Sequence, residues 1–272
     1  MSERVVSVIM AVYNTEKFVS EAIESILFQS FENFEFIIVD DCSTDESYEI
    51  CKKYSLKDDR IKLFKNEKNM WISFTRNRLI ELSSTNYICT QDSDDVSLPE
   101  RLKLSYEFLE KNLDYWVVSW DNIIIDESWK MIWYRKYDNN IWKIILKKSP
   151  ISQPSSMFRK DVFLEMWKYD KNLNYWEDYD LWLKMFANWY KIENLDKNLL
   201  RYRLRKWQTK DLRIKDTIRN TIFIQKRANK IYWIRANFWD KIYWFCEKIL
   251  LILPNFMIMY LFKKLEYRKN ES

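Results

Sequence analysis

Apolar and polar positions along the first 112 residues form a pattern that predicts strands followed by helices. Near-continuous apolar runs cover 5–12, 34–39, 61–64 and 87–90, and such runs are typical of strands buried in a parallel sheet. Helical spacing follows each run, at 14–27 (with a start at 14–16), 46–54, 73–82 and 99–111. This alternation predicts an α/β fold with a mostly parallel sheet flanked by helices.

Polar clusters follow three of these strands, at 13–14, 40–45 and 91–95. Right-handed crossovers place the carboxyl ends of parallel strands on one rim, where open α/β sheets bind ligands. We therefore expect the three clusters to form a single site. Asp41 could accept hydrogen bonds from a ribose hydroxyl or a uracil N–H. The alternative for this loop is helix capping by Ser43 or Thr44.

Two acidic clusters are candidates for chemistry. Asp92, Asp94 and Asp95 directly follow the fourth strand, and carboxylates this close repel one another unless a cation neutralises them. Mg²⁺ or Mn²⁺ prefers such oxygen ligands, although a solvated acidic turn is the alternative. The second cluster, at 177–180, could supply a carboxylate base for an acceptor hydroxyl or form the acidic first turn of a helix over 177–187.

Five segments resemble the family 2 glycosyltransferases in order and spacing. They are 8–14, 25–31, 39–45, 91–95 and 177–182. Each segment alone is a weak signal, whereas five in register are specific. The resemblance covers about residues 4–210 and implies a GT-A fold, which contains a Rossmann-like sheet. It also implies a nucleoside diphosphate sugar donor, often UDP-linked, and inversion at the anomeric carbon.

The resemblance also implies a role for individual residues. The implied nucleotide-sugar-binding residues are Ala11, Tyr13, Asn14, Asp41, Arg76, Asp92 and Asp94. Arg76 falls where the family often has a basic residue beside the diphosphate. Asp94 and Asp95 match the family's metal carboxylates, so the implied cofactor is Mg²⁺ or Mn²⁺. Asp178 matches the general base that takes the proton of the acceptor hydroxyl.

Three residues depart from the family pattern. Cys42 stands where the family has a turn glycine. Gln153 and Arg205 each stand where a histidine is common. The last two departures affect the details of acceptor or phosphate binding rather than the fold.

The C-terminal segment differs from the rest of the chain in charge. Residues 200–272 hold 18 Lys and Arg against 6 Asp and Glu, whereas the whole chain has a net charge of only +5. We divide the chain into a GT-A domain over 1–210 and a basic helical extension over 211–272. Within the domain we expect a nucleotide-binding half at 1–112 and an acceptor half at 113–210.

The basic extension suggests an anionic partner. Phospholipid and nucleic acid are both candidates on charge alone, and a solvated helix is the alternative. The apolar run at 249–262 is interrupted by Pro254 and is short for a membrane span, so it would lie on an anionic membrane or pack on the catalytic domain. A sugar transferase favours the membrane, and we expect no nucleic-acid partner.

The predicted reaction is sugar transfer to a glycan or lipid-linked acceptor in cell-surface polysaccharide synthesis. A sugar nucleotidyltransferase and a non-catalytic protein that keeps the fold are the alternatives. The four cysteines form no CxxC pair, the chain has no histidine, and no signal peptide is evident. These features favour the cytoplasm, or the inner face of the plasma membrane if the extension binds there.

The composition contains one anomaly, which is 14 tryptophans and no glycine. Tight turns and helix ends commonly require the positive φ that glycine adopts at little cost. Trp71, Trp120, Trp167 and Trp189 stand in segments where the family often has glycine. We hypothesise that most of the tryptophans are glycines in the organism, because some bacterial lineages read UGA as glycine. A chain that truly lacks glycine is the alternative.

Overall fold

The computed structural model describes residues 4–138, 140–166, 168–173, 176–205 and 214–266. Its strands are β1 (Val6–Val12), β2 (Phe34–Asp40), β3 (Ile61–Lys65), β4 (Tyr87–Asp92), β5 (Val96–Ser97), β6 (Tyr115–Asp126), β7 (Met131–Arg135), β8 (Met157–Arg159) and β9 (Lys191–Leu204). Its helices are α1 (Val19–Leu27), α2 (Ser47–Ser55), α3 (Ile72–Leu82), α4 (Arg101–Lys111), α5 (Ile141–Ile144), α6 (Lys160–Met166), α7 (Glu177–Ala187), α8 (Ile214–Ile231), α9 (Phe238–Leu250) and α10 (Asn255–Glu266).

A single sheet joins the strands in the order β3-β2-β1-β4-β8-β6-β9-β5, and β7 pairs with β6. The strands β3, β2, β1 and β4 are parallel to one another. The short strand β8 runs antiparallel to both β4 and β6, and β6 and β9 are parallel to each other. The predicted α/β fold, a mostly parallel sheet flanked by helices, is confirmed.

Strand β1 lies in the middle of the core because both of its faces are covered. Val8 and Met10 pack on the side of α1, against Ile23. Ile9 points to the opposite side, where it packs in the same cluster as Leu79 and Ile80 of α3. Burial on both faces explains why the strand is an apolar run rather than an alternating one.

The first helix begins later than its predicted start at 14–16. The carbonyl of Thr15 accepts hydrogen bonds from the backbone N–H groups of Phe18 (2.9 Å) and Val19 (3.0 Å), which close a turn before α1. The alternative role of Ser43 or Thr44, capping of α2, is not found. Residue Glu46 occupies the cap position of α2 without a side-chain bond.

The C-terminal extension is helical where it is described. Ile214, Ile218 and Ile222 of α8 pack against Ile258 of α10. The apolar run at 249–262 is divided, since α9 ends at Leu250 and α10 begins at Asn255. Within the described ranges, the structure contains no helix long and apolar enough to cross a membrane.

Tryptophan is concentrated at unusual backbone conformations. Seven described residues have a positive φ, and five of them are Trp71, Trp129, Trp176, Trp189 and Trp233. Trp71 has φ 68° and ψ 160°, a region that is essentially restricted to glycine. The glycine hypothesis is therefore supported at positions 71 and 189, and it stays a prediction.

The other positions named in that hypothesis add no support. Trp120 lies buried within β6, and its ring N–H donates to the hydroxyl of Ser105 at 2.7 Å. Position 167 lies outside the described residues. Cys42, which stands in place of the family's turn glycine, has φ 63°. The loop after β2 thus keeps the conformation that a glycine would adopt.

Candidate active site

The carboxyl ends of β1, β2 and β4 bring the first three predicted polar segments together. Ala11 is paired in register with Asp92 of β4 on one side and with Val39 of β2 on the other. The backbone N–H of Asp41 donates to the carbonyl of Val12 at 2.7 Å. The expected gathering of polar residues on one rim is therefore present.

The nucleoside side of this rim contains one fixed carboxylate and one exposed aromatic ring. Asp41 is buried, and its Oδ1 accepts hydrogen bonds from the side-chain amide of Asn66 (2.6 Å) and the backbone N–H of Met70 (2.9 Å). Tyr13 is 46% exposed. A fixed acceptor next to an accessible ring is suited to binding a base and a ribose.

Asn14 holds two loops together at the edge of this site. Its backbone N–H donates to the hydroxyl of Ser43 at 3.1 Å. Its side-chain oxygen accepts from the backbone N–H of Thr44 at 2.9 Å. These contacts explain what Ser43 and Thr44 do instead of capping α2: they connect the loop after β2 to the loop after β1.

The first acidic cluster consists of Asp92, Asp94 and Asp95, and two arginines from the end of β9 meet it. Arg205 Nε lies 2.8 Å from Asp94 Oδ2. The backbone N–H of Arg203 donates to Asp95 Oδ1 at 2.9 Å, and its Nε donates to the carbonyl of Asp94 at 2.9 Å. The end of β9 therefore fixes the shape of the acidic loop.

Burial shifts the protonation of these carboxyl groups. It raises the pKa of Asp94 to about 6, with Arg205 acting in the opposite direction and Asp92 adding to the rise. Burial also raises the pKa of Asp95 well above its usual value, and the neighbouring Asp94 adds to this effect. A site that disfavours two anions is one in which an added cation would be strongly stabilised.

The residues of this cluster fit a divalent cation that draws part of its ligand shell from the donor. Asp95 Oδ2 is buried and has no hydrogen-bond partner among the described residues. No group of three or more acidic, cysteine or histidine side chains that could hold a metal occurs in the described ranges. Mg²⁺ commonly takes one or two carboxylates and completes its shell with phosphate and water, so Asp94 and Asp95 would suffice.

The second acidic cluster lies at the start of α7. Glu177 is buried, and burial raises its pKa to about 7 although Arg76 acts to lower it. Asp178 is partly exposed, and its Oδ1 accepts from the backbone N–H of Tyr179 at 2.7 Å. Among the described residues, Asp178 forms no ion pair within 4 Å. Its carboxylate is thus held in place by its own helix, while Arg76 lies near enough to interact with it electrostatically.

Arg76 connects the two clusters. Its Nη1 donates to Glu177 in a short hydrogen bond, and its Nη2 lies 3.2 Å from Asp92 Oδ1. Although burial disfavours its charge, Glu177 and Asp92 keep the pKa of Arg76 above its ordinary value. The guanidinium thus contacts two carboxylates, and the role beside the diphosphate that the resemblance implies for Arg76 stays a prediction.

The two histidine replacements lie close to this connection. Gln153 belongs to a 3-10 turn over Gln153–Ser155, and its amide donates to the hydroxyl of Tyr169 at 2.6 Å. The guanidinium of Arg76 lies 5.8 Å from the ring centre of Tyr169. Arg205, the second replacement, is the partner of Asp94. Both departures therefore take part in polar contacts at the rim.

Comparison with known proteins agrees with this geometry. The model of the family described as "Glycosyl transferase family 2" matches residues 7–167. The chain belongs to glycosyl transferase family 2. The O-antigen biosynthesis glycosyltransferase WbnJ of Escherichia coli is 37% identical over 206 residues, which are 73% of this chain and 79% of the relative.

Two solved structures of GT-A glycosyltransferases share this fold. S. aureus TarS 1-349 in complex with UDP-GlcNAc matches with a TM-score of 0.63 and 20% identity, covering 89% of this chain and 79% of that TarS chain. The mannosyltransferase PcManGT from Pyrobaculum calidifontis, in complex with GDP-Man and Mn²⁺, matches with a TM-score of 0.63 and 13% identity. That match covers 97% of this chain and 81% of PcManGT.

Sequence reasoning gave no role to two residues that organise the site, Glu177 and Arg203. Glu177 lies 101 positions from Arg76, and Arg203 lies 108 positions from Asp95. Pairing over such distances leaves no periodic signal in a single sequence. The only available signal was the place of each residue, since Glu177 precedes Asp178 and Arg203 precedes Leu204 and Arg205.

Proposed function

We propose that this protein transfers a sugar from a nucleoside diphosphate sugar, with UDP as the nucleotide, to a hydroxyl group of a glycan or lipid-linked acceptor. Residues 1–210 form the transferase domain. The observation that carries the proposal is the bridge made by Arg76, which contacts Asp92 in one acidic cluster and Glu177 in the other. The bridge brings the candidate base Asp178 to the same rim as the candidate donor site.

The residues at the end of the sheet bind the donor in this proposal. Asp41 accepts hydrogen bonds from the ribose or the base, and the ring of Tyr13 covers the nucleoside. Ala11 and Asn14 shape the same pocket, and Asp92 faces the diphosphate. Asp94 and Asp95 would hold Mg²⁺ or Mn²⁺, and the bound cation would offset the negative charge of the leaving diphosphate.

Asp178 acts as the general base. It takes the proton of the acceptor hydroxyl while that oxygen attacks the anomeric carbon from the side opposite the leaving diphosphate. The new glycosidic bond forms as the bond to the diphosphate oxygen breaks, so the anomeric configuration inverts. The sugar passes through an oxocarbenium-like state, as in glycoside hydrolysis. A partly exposed carboxylate that forms no ion pair within the described part of the chain suits this role.

The relatives support the class of pathway and the donor. The name of WbnJ refers to O-antigen biosynthesis, and the TarS structure contains UDP-GlcNAc. We therefore place the reaction in cell-surface polysaccharide synthesis on the cytoplasmic side of the membrane. The PcManGT structure contains GDP-Man and Mn²⁺, which supports a divalent metal and makes a GDP-linked donor the first alternative to test.

A donor screen tests this function. The purified chain is incubated with UDP-, GDP- and dTDP-sugars and with candidate glycan and lipid-linked acceptors, with Mn²⁺ or Mg²⁺, and the released products are identified. A parallel incubation supplies nucleoside triphosphates and sugar 1-phosphates instead. We expect release of UDP with retention of the sugar in an acceptor, and inversion of the anomeric configuration by NMR. Release of pyrophosphate would indicate a sugar nucleotidyltransferase. No turnover with any donor, together with intact nucleotide binding, would indicate a non-catalytic binding protein.

A further inference from the structure

Helix α9 buries its acidic side chains and exposes apolar ones, which is the reverse of an ordinary surface helix. Its acidic side chains Asp240 and Glu247 are only 5% and 8% exposed, whereas Phe238 and Phe245 are 70% and 63% exposed. Surface helices normally bury the apolar stripe and expose the charges. The exposed side chains Phe238, Ile242, Phe245 and Ile249 follow the spacing of one helical face, and we call them the outer face of α9.

The orientation of α9 is fixed by polar contacts on its inner side. Asn237 and Asp240 form a reciprocal capping box at the start of the helix. Asp240 also lies 3.7 Å from Lys147, and the ring N–H of Trp244 donates to the carbonyl of Leu146 at 2.8 Å. Rotating the helix to bury its apolar side would break these contacts. The outward position of the apolar residues therefore belongs to the folded chain.

The outer face of α9 forms part of a larger apolar surface. Ile252, in the turn after α9, is 81% exposed, and Phe256 of α10 is 73% exposed. Soluble monomers seldom expose apolar patches of such extent unless the patch binds something. None of the residues in the outer face is a tryptophan, so this surface does not depend on the reading of UGA codons.

The charge pattern of α9 indicates what covers this surface. The lysines Lys241 and Lys248 are exposed on the flank of the outer face, while both acidic residues of the helix point inward. The solvent side of α9 is therefore apolar with only positive charge beside it. Aromatic and aliphatic residues flanked by lysines match the boundary between headgroups and acyl chains of an anionic bilayer. A second copy of the chain would bring its own lysines against these and is disfavoured.

We propose that the outer face of α9 inserts into the headgroup region of an anionic membrane and docks the protein there. The helix lies parallel to the membrane surface, with Phe245 and Ile242 in the apolar boundary and Lys241 and Lys248 at the phosphates. The earlier expectation placed membrane contact at 249–262, and the structure shifts its centre to 238–250. This inference does not rest on the proposed sugar transfer, because docking requires no donor.

Vesicle co-sedimentation of the full-length chain tests the proposal. The vesicles consist of phosphatidylcholine alone, or of phosphatidylcholine with about a third phosphatidylglycerol. We expect binding to the anionic vesicles at least tenfold tighter than to the neutral ones, and weaker binding in high salt. No binding to anionic vesicles would overturn the proposal.

Two variants and one matched control locate the surface. The double substitution Ile242→Glu with Phe245→Glu should weaken vesicle binding at least tenfold, and Lys241→Glu with Lys248→Glu should remove the preference for anionic lipid. Phe28→Glu is the control, because Phe28 is 75% exposed at the end of α1. Equal binding by the first variant and the control would contradict the proposal. The proposal would also be contradicted if the wild type proved to be a dimer and the first variant a monomer with unchanged vesicle binding.

Discussion

The two acidic clusters on the rim of the sheet are built differently. In the first, Asp94 lies beside the guanidinium of Arg205, and Asp95 is fixed by the backbone N–H of Arg203. In the second cluster, Arg76 contacts Glu177 rather than Asp178. Asp178 accepts a hydrogen bond from the backbone N–H of Tyr179 in its own helix. The first cluster thus places its carboxyl groups in a fixed, buried loop. The second keeps one carboxylate accessible by fixing its neighbour.

The difference assigns the clusters to different steps. A buried pair of carboxylates with raised pKa values gains most from a bound cation, so the first cluster suits the donor diphosphate and its metal. An accessible carboxylate next to a fixed one suits proton transfer from an acceptor. Removing a residue from one cluster should therefore change a different measurable quantity from removing a residue of the other.

The largest effect is expected for Asp178→Asn. The amide keeps the shape of the side chain but cannot take a proton, so kcat should fall by about 10³-fold, within the usual range for loss of a general base. The control is Asp196→Asn, because the Asp196 side chain is 70% exposed and pairs with Lys136 on the surface. Steady-state rates of product formation measure both variants. An unchanged kcat for Asp178→Asn would remove the base assignment.

The next effect is expected for Asp94→Ala. This change removes a proposed metal ligand and leaves Arg205 without its carboxylate partner, so kcat/KM should fall by about 10²-fold or more. The concentration of Mn²⁺ that gives half-maximal activity should rise, whereas in Asp178→Asn it should stay the same. A metal titration of the initial rate in each variant makes the comparison. Equal metal requirements in the two variants would contradict the assignment of metal binding to the first cluster and proton transfer to the second.

The substitution Arg76→Ala removes the contact between the two acidic clusters. It should destabilise the fold as well as slow the reaction. Loss of one partner from a buried ion pair typically costs about 3 kcal/mol. Without Arg76, the pKa of Glu177 should rise above its present value of about 7. Because the unfolded chain ionises this group at a lower pH, the folded variant should lose further stability as the pH rises above 7.

Thermal melts at pH 6 and pH 8 test this expectation. The added change Glu177→Gln removes the ionisable group and should abolish the pH-dependent part of the loss. If Arg76→Ala melts at the same temperature as the wild type at both values, Arg76 is not a structural bridge, and its role in binding diphosphate would become the better explanation.

The smallest effect concerns Trp176, which directly precedes the second cluster. Its φ of 65° and ψ of 17° are left-handed, a conformation that costs a non-glycine residue about 1 kcal/mol. In Trp176→Gly the relief of this strain is offset by the lost contacts of the ring with the core, so Tm should change by only a few degrees, and the metal requirement of the first cluster should stay unchanged. UGA codons at Trp71 and Trp189 in the gene would support the glycine hypothesis, and UGG at these positions would contradict it.

The two halves of the transferase domain differ in how far the sequence predicts them. Strands β1, β2 and β4 are buried along almost their whole length, whereas β3 is partly exposed at the edge of the sheet, and the apolar runs predict all four within about two residues. Strand β9 was not predicted, because charged side chains such as Lys191, Asp196 and Lys197 interrupt its apolar pattern and its partner β6 is distant in the chain. The three residues of β8 are too few to form a period.

The site shows the same division between local and distant information. Asp41, Asp92 and Asp94 could be proposed because each follows a strand, and parallel strands end on one rim. The contact between Arg76 and Glu177 depends on how α7 packs against α3, and no local sequence pattern predicts that packing. The outward orientation of the apolar face of α9 could not be predicted either. An apolar stripe in a sequence predicts an amphipathic helix but not which way that helix faces.

Direct binding of the donor to two variants is the most decisive measurement. Calorimetry with Mn²⁺ and the UDP-sugar identified by the donor screen gives Kd for the wild type, Asp178→Asn and Asp94→Ala. The account predicts that Asp178→Asn binds the donor as the wild type does while turning it over about 10³-fold more slowly, and that Asp94→Ala loses most of the affinity. Loss of donor affinity in Asp178→Asn, or full affinity in Asp94→Ala, would contradict the division between donor site and base.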